Sequence, residues 1–205
     1  MSVFVTVSGA AGCGDSNVET VDRSQVASKQ EAPSPKAAAT SDATSDVTGR
    51  GAIAGVSWTI PAGWETGPDR PMRVATYWVG TGSVKGDCAV FFFGPGQGGS
   101  VQDNIDRWIG QFVQPDGAAS KEKAAIKKET VAGLQVTTID LSGTYIASMG
   151  GPMSSQKEER PDYRMLGAIV EAPEGPVFFK LTGPEGVVMN SFDDFRQLVE
   201  SVSKT

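Results

Sequence analysis

The most suggestive chemical motif of the chain lies between positions 91 and 112, which read FFFGPGQGGSVQDNIDRWIGQF. Gly94, Gly96 and Gly99 fit G-x-G-x-x-G, a spacing that lets the backbone of a strand-to-helix turn approach a pyrophosphate. A dinucleotide site also needs a parallel strand that returns beside the first strand, and an acidic residue about 20 residues further on. The segment after the predicted helix is instead polar, and a hairpin pattern follows it.

Two further features argue against a phosphate site at these glycines. Asp103 and Asp106 place negative charge in the first two turns of the predicted helix, which opposes an anion there. No Lys-Ser or Lys-Thr pair follows the glycines, as a P-loop would require. The glycines are therefore predicted to form a simple turn. Ser100 and Asp103 are predicted to cap the helix that follows.

The composition removes most of the usual catalytic groups. The 205 residues contain no histidine, which excludes His-dependent triads and His-ligated zinc. Cys88 lies in the apolar run DCAVFFF and is predicted to be a buried small hydrophobic residue rather than a nucleophile. Asp193 and Asp194 are adjacent on a predicted helix, so they point about 100° apart and do not favour a shared metal ion. No cofactor and no metal site are predicted.

An enzyme built from this sequence would have to use carboxylates, lysine, tyrosine or an unaided hydroxyl. It would need a deep cleft in which acids converge, for example Asp106 or Asp140 near Lys180. The chain is predicted not to be an enzyme. A His-independent hydrolase is retained only as an alternative.

The charge balance excludes another large class of function. Lys and Arg total 18 and Asp and Glu total 24, which gives a net charge of −6. Nucleic-acid binding depends on basic residues that neutralise phosphates, and the sequence shows no basic stripe. A nucleic-acid partner is therefore excluded. No apolar run reaches the roughly 18 residues that a membrane-spanning helix needs.

The first 13 residues contain Ala10-Ala11-Gly12-Cys13, which resembles a bacterial lipobox. In that motif the cysteine is acylated and becomes the new N-terminus. The match is atypical, because no basic residue precedes the short apolar stretch. A start assigned too far downstream would account for this. We interpret residues 1–13 as a truncated or atypical lipoprotein signal. The other interpretation is an ordinary disordered terminus with a chance cysteine.

Residues 14–49 are predicted to be a disordered tether. The segment contains no aromatic residue, no Leu and no Ile, and consists mostly of Ser, Thr, Ala, Pro and charged residues. Such a composition cannot bury enough apolar surface to offset the entropy of ordering the chain. The tether and the lipid together predict a membrane partner through Cys13 and an extracytoplasmic location in the bacterial cell envelope.

Residues 50–205 are predicted to form one folded domain, since all four Trp, all three Tyr and eight of the nine Phe lie there. Two amphipathic helices are indicated by apolar residues at helical spacing, one near residues 101–112 and one near 188–202. Alternating and apolar runs predict three strands before the first helix and four between the helices. The fold class is α+β: a mainly antiparallel sheet of six or seven strands with two principal helices packed on it.

This layout resembles the PsbP-like fold, which also opens with a strand that leads into a Pro-x-x-Trp turn, here Pro61 to Trp64. The chain is also similar to a group of uncharacterised bacterial lipoproteins in the segments NIDRWIGQF, RMLGAIVE and FFKLTGP. The resemblance covers roughly residues 57–202 and carries no catalytic motif. It implies a PsbP-like sandwich and a binding or scaffold role more often than catalysis.

Residues 147–162 are predicted to be a long polar loop, and the segment ASMGGPMSSQKEERPDYR, residues 147–164, is the candidate partner-binding site. Met149 and Met153 flank Gly-Gly-Pro and suit an adaptable contact surface. Arg160, Tyr163 and Arg164 would supply polar anchors. The other interpretation is a mobile loop whose two methionines pack onto the sheet.

These observations predict a membrane-tethered, extracytoplasmic accessory or binding domain without catalysis, with an envelope protein as partner. The principal alternative is a carrier of a small apolar ligand, which would need an apolar pocket between the sheet and a helix.

Overall fold

A computed structural model describes residues 49–149 and 156–205. Cys13, Met153 and nearly all of the predicted tether lie outside these residues. The described residues form eleven strands and four helices, whose bounds are as follows: β1 (Arg50–Ile53), β2 (Val56–Thr59), β3 (Glu65–Thr66), β4 (Ala75–Val79), β5 (Gly86–Phe92), α1 (Val101–Ile109), β6 (Phe112–Val113), α2 (Ser120–Lys123), β7 (Ala125–Val131), β8 (Leu134–Ser148), β9 (Lys157–Ala172), β10 (Gly175–Pro184), α3 (Glu185–Asn190), α4 (Phe192–Glu200) and β11 (Ser203–Lys204).

The α+β class and the antiparallel sheet predicted from the sequence are confirmed, but the strands are more numerous than predicted. Eight strands of the described chain form one sheet in the order β3-β4-β5-β10-β9-β8-β6, with β7 also paired to β8. A separate small sheet has the order β1-β2-β11. All seven predicted strands are present. The four additional strands have two to four residues each, which is too short for an alternating pattern to indicate them.

Both faces of the main sheet contribute to a hydrophobic core, because side chains alternate along its central strands. Cys88 and Val90 of β5 and Phe179 of β10 belong to a core shared with α4 and the small sheet. Phe178 of β10, with Phe91 of β5 packed against it, belongs to a second core beneath α1. The two principal helices therefore contribute to different cores.

A tryptophan makes one of the contacts between the small sheet and the main sheet. Trp58 of β2 is 1 % exposed, and its indole nitrogen donates to the Tyr77 hydroxyl at 3.1 Å. Its ring meets that of Phe179 edge to face, with 5.1 Å between centroids. Because the indole N–H has a partner, Trp58 contributes its full apolar area to this core without leaving a buried donor unpaired.

The glycine segment before α1 is a turn, as predicted. Gly94, Gly96 and Gly99 all have positive φ, a region that glycine enters without steric cost. The amide nitrogen of Asn104 donates to the backbone carbonyl of Gly98 at 2.7 Å, which ties the turn to the helix. The Ser100 side chain accepts from the backbone N–H of Asp103 at 3.0 Å, which confirms the predicted cap. The next strand, β6, pairs antiparallel with β8, so no βαβ unit forms.

The predicted loop 147–162 requires correction. Strand β8 continues to Ser148 and β9 begins at Lys157, so much of the segment is hairpin. The sequence KEERPDYR shows no alternation because this end of β9 is largely exposed. A β-bulge also interrupts the pairing opposite Gly143 and Tyr145, where Asp162 has φ of 54°. The bulge and Pro161 interrupt the alternating pattern of a strand, and for this reason the sequence predicted a loop.

Gly167 of β9 lies against the Trp108 ring of α1, with no room for a side chain. A Cβ at this position would lie 2.5 Å from a ring carbon of Trp108 and 2.8 Å from Ile139. Gly167→Ala should therefore lower the free energy of unfolding by about 1–3 kcal/mol through overpacking, as measured by urea denaturation. Gly186→Ala in α3 is the matched control, since nothing lies within 4 Å of its added Cβ. An equal effect of the two substitutions would contradict this packing.

Candidate functional site

The candidate site is a cleft on the sheet face that carries α1. The helix covers the part of that face around Phe178 and Ile169, where the second core lies. Beyond it, β4, β5 and β10 line an open cleft with the ends of β8 and β9, and the cleft encloses about 580 Å³. This volume lies within the roughly 300–1,000 Å³ of small-molecule sites.

The cleft is strongly cationic, although the protein as a whole is acidic. Its walls contain five basic side chains but only one carboxylate, that of Asp87. The five basic residues are Arg70, Arg73, Lys85, Arg160 and Lys180. Because the whole chain carries a net charge of −6, this concentration of positive charge is a local feature of the sheet surface.

Carboxylates offset part of this charge. Asp87 accepts from Arg73 at 2.7 Å and from Arg70 at 3.4 Å. Two further acids lie just outside the walls, where Glu65 pairs with Lys85 at 2.5 Å and Glu158 with Arg160 at 2.6 Å. Three carboxylates thus face five cations, and the surplus is about two positive charges. Lys180 is the only one of the five without a carboxylate partner among the described residues.

Four of the five cationic side chains of the cleft lie over aromatic rings. Four cations lie over a ring, with these distances to the ring centroid: Arg70 over Trp78 at 5.1 Å, Arg73 over Phe91 at 5.7 Å, Lys180 over Tyr145 at 5.3 Å and Arg160 over Tyr163 at 5.9 Å. Each arrangement satisfies the distance for a cation–π interaction. The Tyr145 and Tyr163 rings are themselves stacked, with centroids 6.1 Å apart. The rings hold the charged groups in place and give the cleft flat apolar surfaces.

Lys180 has the most perturbed environment in the cleft. Its ammonium donates to the side-chain oxygen of Gln111, just after α1. Burial, followed by the nearby positive charges of Arg107 and Arg73, lowers the pKa of Lys180 to about 7, and Asp87 opposes the shift. Loss of water and like charges both disfavour the protonated amine. The charge of this cleft therefore changes near neutral pH.

The structure divides the residues that the sequence grouped into one partner-binding loop. Arg160 and Tyr163 line the cleft. Arg164 is adjacent to Tyr163 in the strand, so its side chain points to the other face. There its guanidinium contacts both oxygens of Asp140, at 2.7 and 2.6 Å, and Glu185 at 3.4 Å. Met149 is 44 % exposed at the end of β8.

The acids named for an enzyme do not converge on Lys180. Asp140 is held by Arg164 on the opposite face of the sheet. Asp106 lies on α1, where it accepts from Gln102 at 3.1 Å and is 3.7 Å from Lys121. The described residues contain no group of three or more Cys, Asp or Glu side chains that could hold a metal ion.

Arg70, Arg73 and Asp87 were not predicted as site residues from the sequence, and Lys180 was considered only as a catalytic group. One signal was available, because Asp87 and Lys180 are charged residues in otherwise apolar central strands. The pairing of Thr182 with Asp87 and of Lys180 with Ala89 places both charges on one face. That register could not be read from the sequence.

The thiol of Cys88 lies on the face opposite the cleft and is 0 % exposed. Burial, and to a lesser extent the neighbouring Asp87 carboxylate, raises its pKa. The prediction that Cys88 is buried is confirmed, and its raised pKa disfavours the thiolate.

A second groove, of about 460 Å³, lies between α4 and the edge of the sheet at β7 and β8. Its rim includes Ile126 and Phe192, which are 42 % and 43 % exposed. The charged residues Lys127, Glu129, Asp140, Arg196 and Glu200 also line it. The groove therefore combines exposed apolar side chains with charged ones.

Comparison with known proteins gives only distant similarity. No protein-family model and no curated protein matches the sequence. The solution structure of cyanobacterial PsbP (CyanoP) from Synechocystis sp. PCC 6803 is similar to this chain with 12 % identity and a TM-score of 0.46, over 74 % of this chain and 87 % of that chain. A crystal structure of a protein of unknown function from Pseudomonas aeruginosa is similar with 11 % identity and a TM-score of 0.38, over 71 % and 88 %.

With a TM-score below 0.5, the first similarity does not test the PsbP-like layout that is expected from the sequence. A likeness this distant carries no argument about activity or partners. Within the described residues, no helix is both long enough and apolar enough to cross a membrane.

The environment of Lys180 makes its contribution to stability depend on pH. Its pKa is lower in the folded protein than in the unfolded chain, so the unfolded state binds more protons between about pH 7 and pH 10. The destabilising contribution of the protonated Lys180 to the folded state is fully present below pH 7. It disappears as the pH rises from about 7 to about 10. Lys180→Met should therefore stabilise the protein more at pH 6 than at pH 9, as measured by urea denaturation.

Lys128→Met, on an exposed part of β7, is the control for this measurement. Its effect on the free energy of unfolding should be the same at both pH values. If Lys180→Met also has the same effect at pH 6 and pH 9, the amine is not perturbed in the folded state.

Proposed function

We propose that this chain is a binding domain without catalysis, and that the cationic cleft receives an anionic group from a ligand or from a partner in the cell envelope. The observation that carries the proposal is the presence of five basic side chains against one carboxylate in the cleft walls. Cations on a protein surface are ordinarily interspersed with acids, and a cleft with a surplus of positive charge concentrates anions.

The state of the single wall carboxylate favours binding over catalysis. Asp87 accepts from Arg73 and Arg70, so it acts as a pairing partner rather than as an available base. The remaining polar groups of the cleft are mainly donors, namely guanidinium, ammonium and phenol groups. A set of such donors is suited to holding carboxylate or phosphate oxygens.

The range of this attraction is short. Charges separated by more than about 8–10 Å are largely screened at physiological ionic strength, so the cleft acts on groups that enter it rather than at long range. The net charge of −6 would repel a strongly acidic protein as a whole. The proposal therefore concerns an anionic group of limited size.

Citrate is a suitable probe for this proposal. Titrated into the full chain and followed by NMR, it should shift backbone amides around Asp87, Lys180 and Tyr163, with affinity that falls as NaCl is added. A combined Arg73→Gln, Arg160→Gln variant should bind at least tenfold more weakly, because each charge-assisted hydrogen bond contributes about 1.5–3 kcal/mol.

The matched control is Arg196→Gln on α4, a helix that packs on the face of the sheet opposite the cleft. The Arg196 side chain pairs there with Asp193 and Glu200. Citrate affinity should be unchanged in this variant. Equal losses in both variants, or amide shifts away from the cleft, would contradict the assignment of the site.

The groove between α4 and β7–β8 supports the second candidate function, a carrier of a small apolar ligand. The exposed side chains of Ile126 and Phe192 at its rim favour this reading. The same NMR sample distinguishes the two functions when 1-octanol replaces citrate. Saturable shifts around Ile126 and Phe192, with none from citrate at the cleft, would make the carrier the better account.

The location of the domain is a second part of the proposal. We propose that Cys13 is acylated and that residues 14–49 hold the domain near an extracytoplasmic membrane surface. As a flexible coil of 36 residues, the tether has a typical reach of roughly 35 Å. Two or three acyl chains would anchor it firmly, whereas one would bind only marginally.

Intact mass spectrometry tests the anchor. Protein expressed from its native locus and recovered from membranes should begin at Cys13 and carry added acyl mass, and Cys13→Ala should move to the soluble fraction. An unmodified species that retains residues before Cys13 would contradict the anchor, while the proposal for the cleft would stand.

A further inference from the structure

We propose that the natural ligand of the cleft is a small carboxylate with a flat apolar body, such as an arenecarboxylate, whose charged group binds at Lys180. This inference rests on the proposed function, because it names the class of ligand that the cationic cleft takes. Three features of the cleft support it: the charge at Lys180, the aromatic rings in the lining and the groups that surround Lys180.

The charge at Lys180 favours a single negative group. Arg73, Arg70, Lys85 and Arg160 each have a carboxylate partner, whereas Lys180 has none among the described residues. Its recorded hydrogen-bond partner is the neutral side-chain oxygen of Gln111. One carboxylate placed beside Lys180 would give its ammonium the counter-charge that the other four cations already have. Arg73, whose charge also acts on Lys180, is the second donor for that carboxylate.

The lining of the cleft favours a flat apolar body. Phe91, Trp78, Tyr145 and Tyr163 all face the cleft, and cations lie over their rings. Aromatic rings pack against other rings in edge or offset geometry, and guanidinium planes also stack on aromatic faces. A ligand ring therefore finds both kinds of partner in the same walls, whereas inorganic phosphate or acetate would use only the charges.

Proton linkage follows from the groups that surround Lys180. The charged and titratable groups facing it are Asp87 on β5, Arg73 before β4, Arg107 on α1, and Tyr145 on β8. Arg160 and Tyr163 on β9 line the same cleft. Burial raises the pKa of Tyr145, so this phenol stays neutral across the range considered. The amine of Lys180 is the group whose charge changes near pH 7.

A bound carboxylate stabilises the protonated amine and so raises its pKa above the value of about 7 in the free protein. Affinity should be constant below pH 7. Above pH 7 it should fall, approaching about tenfold per pH unit for one linked proton, until the pKa of the complex is reached.

The experiment uses isothermal titration of the full chain with benzoate, acetate and benzamide between pH 6 and pH 9. Benzoate carries the charge and the ring, acetate the charge alone, and benzamide the ring alone. Benzoate should bind at least tenfold more tightly than either of the others at pH 6, and only the carboxylates should lose affinity above pH 7.

Two variants isolate Lys180. Lys180→Met should weaken benzoate binding at least tenfold at pH 6 and remove its pH dependence. Lys180→Arg should keep the binding at pH 6 and also remove the pH dependence, because a guanidinium stays charged throughout. Lys128→Met should behave as the unchanged protein. Unchanged amide NMR spectra away from the cleft would show that the variants fold.

Different experimental results would overturn the two proposals. If citrate binds at the cleft but benzoate is no better than acetate, or its affinity is constant from pH 6 to pH 9, the inference is overturned and the proposed function stands. If neither citrate nor benzoate binds at the cleft, both are overturned. Binding of benzamide equal to that of benzoate would assign the cleft to neutral rings and overturn the inference.

Discussion

The pairing of β5 with β10 is the interaction on which the rest of the structure depends. These two central strands put Cys88, Val90 and Phe179 on one face and Ala89, Lys180 and Asp87 on the other. On the first face, α4 and the small sheet complete a core. On the second face the apolar side chains occupy one end and the charged side chains the other, so one helix can bury only part of it.

The size of α1 sets how much of that face is buried. Nine helical residues extend roughly 14 Å, with a diameter of about 10–12 Å. Strands about 4.8 Å apart make a path of seven strands roughly 30 Å wide. The helix therefore covers only part of the width. Because Gly167 has no side chain, Trp108 of the helix can lie directly against the sheet there. The part of the sheet towards β4 is not covered by the helix and forms the cleft.

The bulge in the β8–β9 hairpin decides which charged residues reach the cleft. An extra residue in β9 brings both Arg160 and Tyr163 to the cleft, although three positions separate them in the chain. Without it, strict alternation would put them on opposite faces. Arg164 then faces the other side, where Asp140 binds it. The bulge in β9 therefore determines which side chains of this strand line the cleft.

The fold could be predicted from the sequence to the extent that apolar periodicity encodes it. The seven predicted strands and α1 with its Ser100 cap follow from that pattern. The single helix predicted near residues 188–202 is instead two helices, α3 and α4, which are separated at Ser191. The cleft does not follow from apolar periodicity, because its members come from segments far apart in the chain and meet only through register. Asp87 and Lys180 are 93 positions apart in the sequence, and the bulge at Asp162 leaves no periodic signal.

The electrostatics of the cleft link its stability to its function. Five cations in one cleft repel one another, and three carboxylates offset only part of that cost. The lowered pKa of Lys180 relieves some of the remainder, since the amine releases its proton near neutral pH. A surface shaped by stability alone would pair each cation with an acid, and departures from such local rules are expected where a site is built. An anion in the cleft supplies the missing negative charge, so the groups that cost stability in the free protein become the source of affinity, and binding stabilises the fold by mass action.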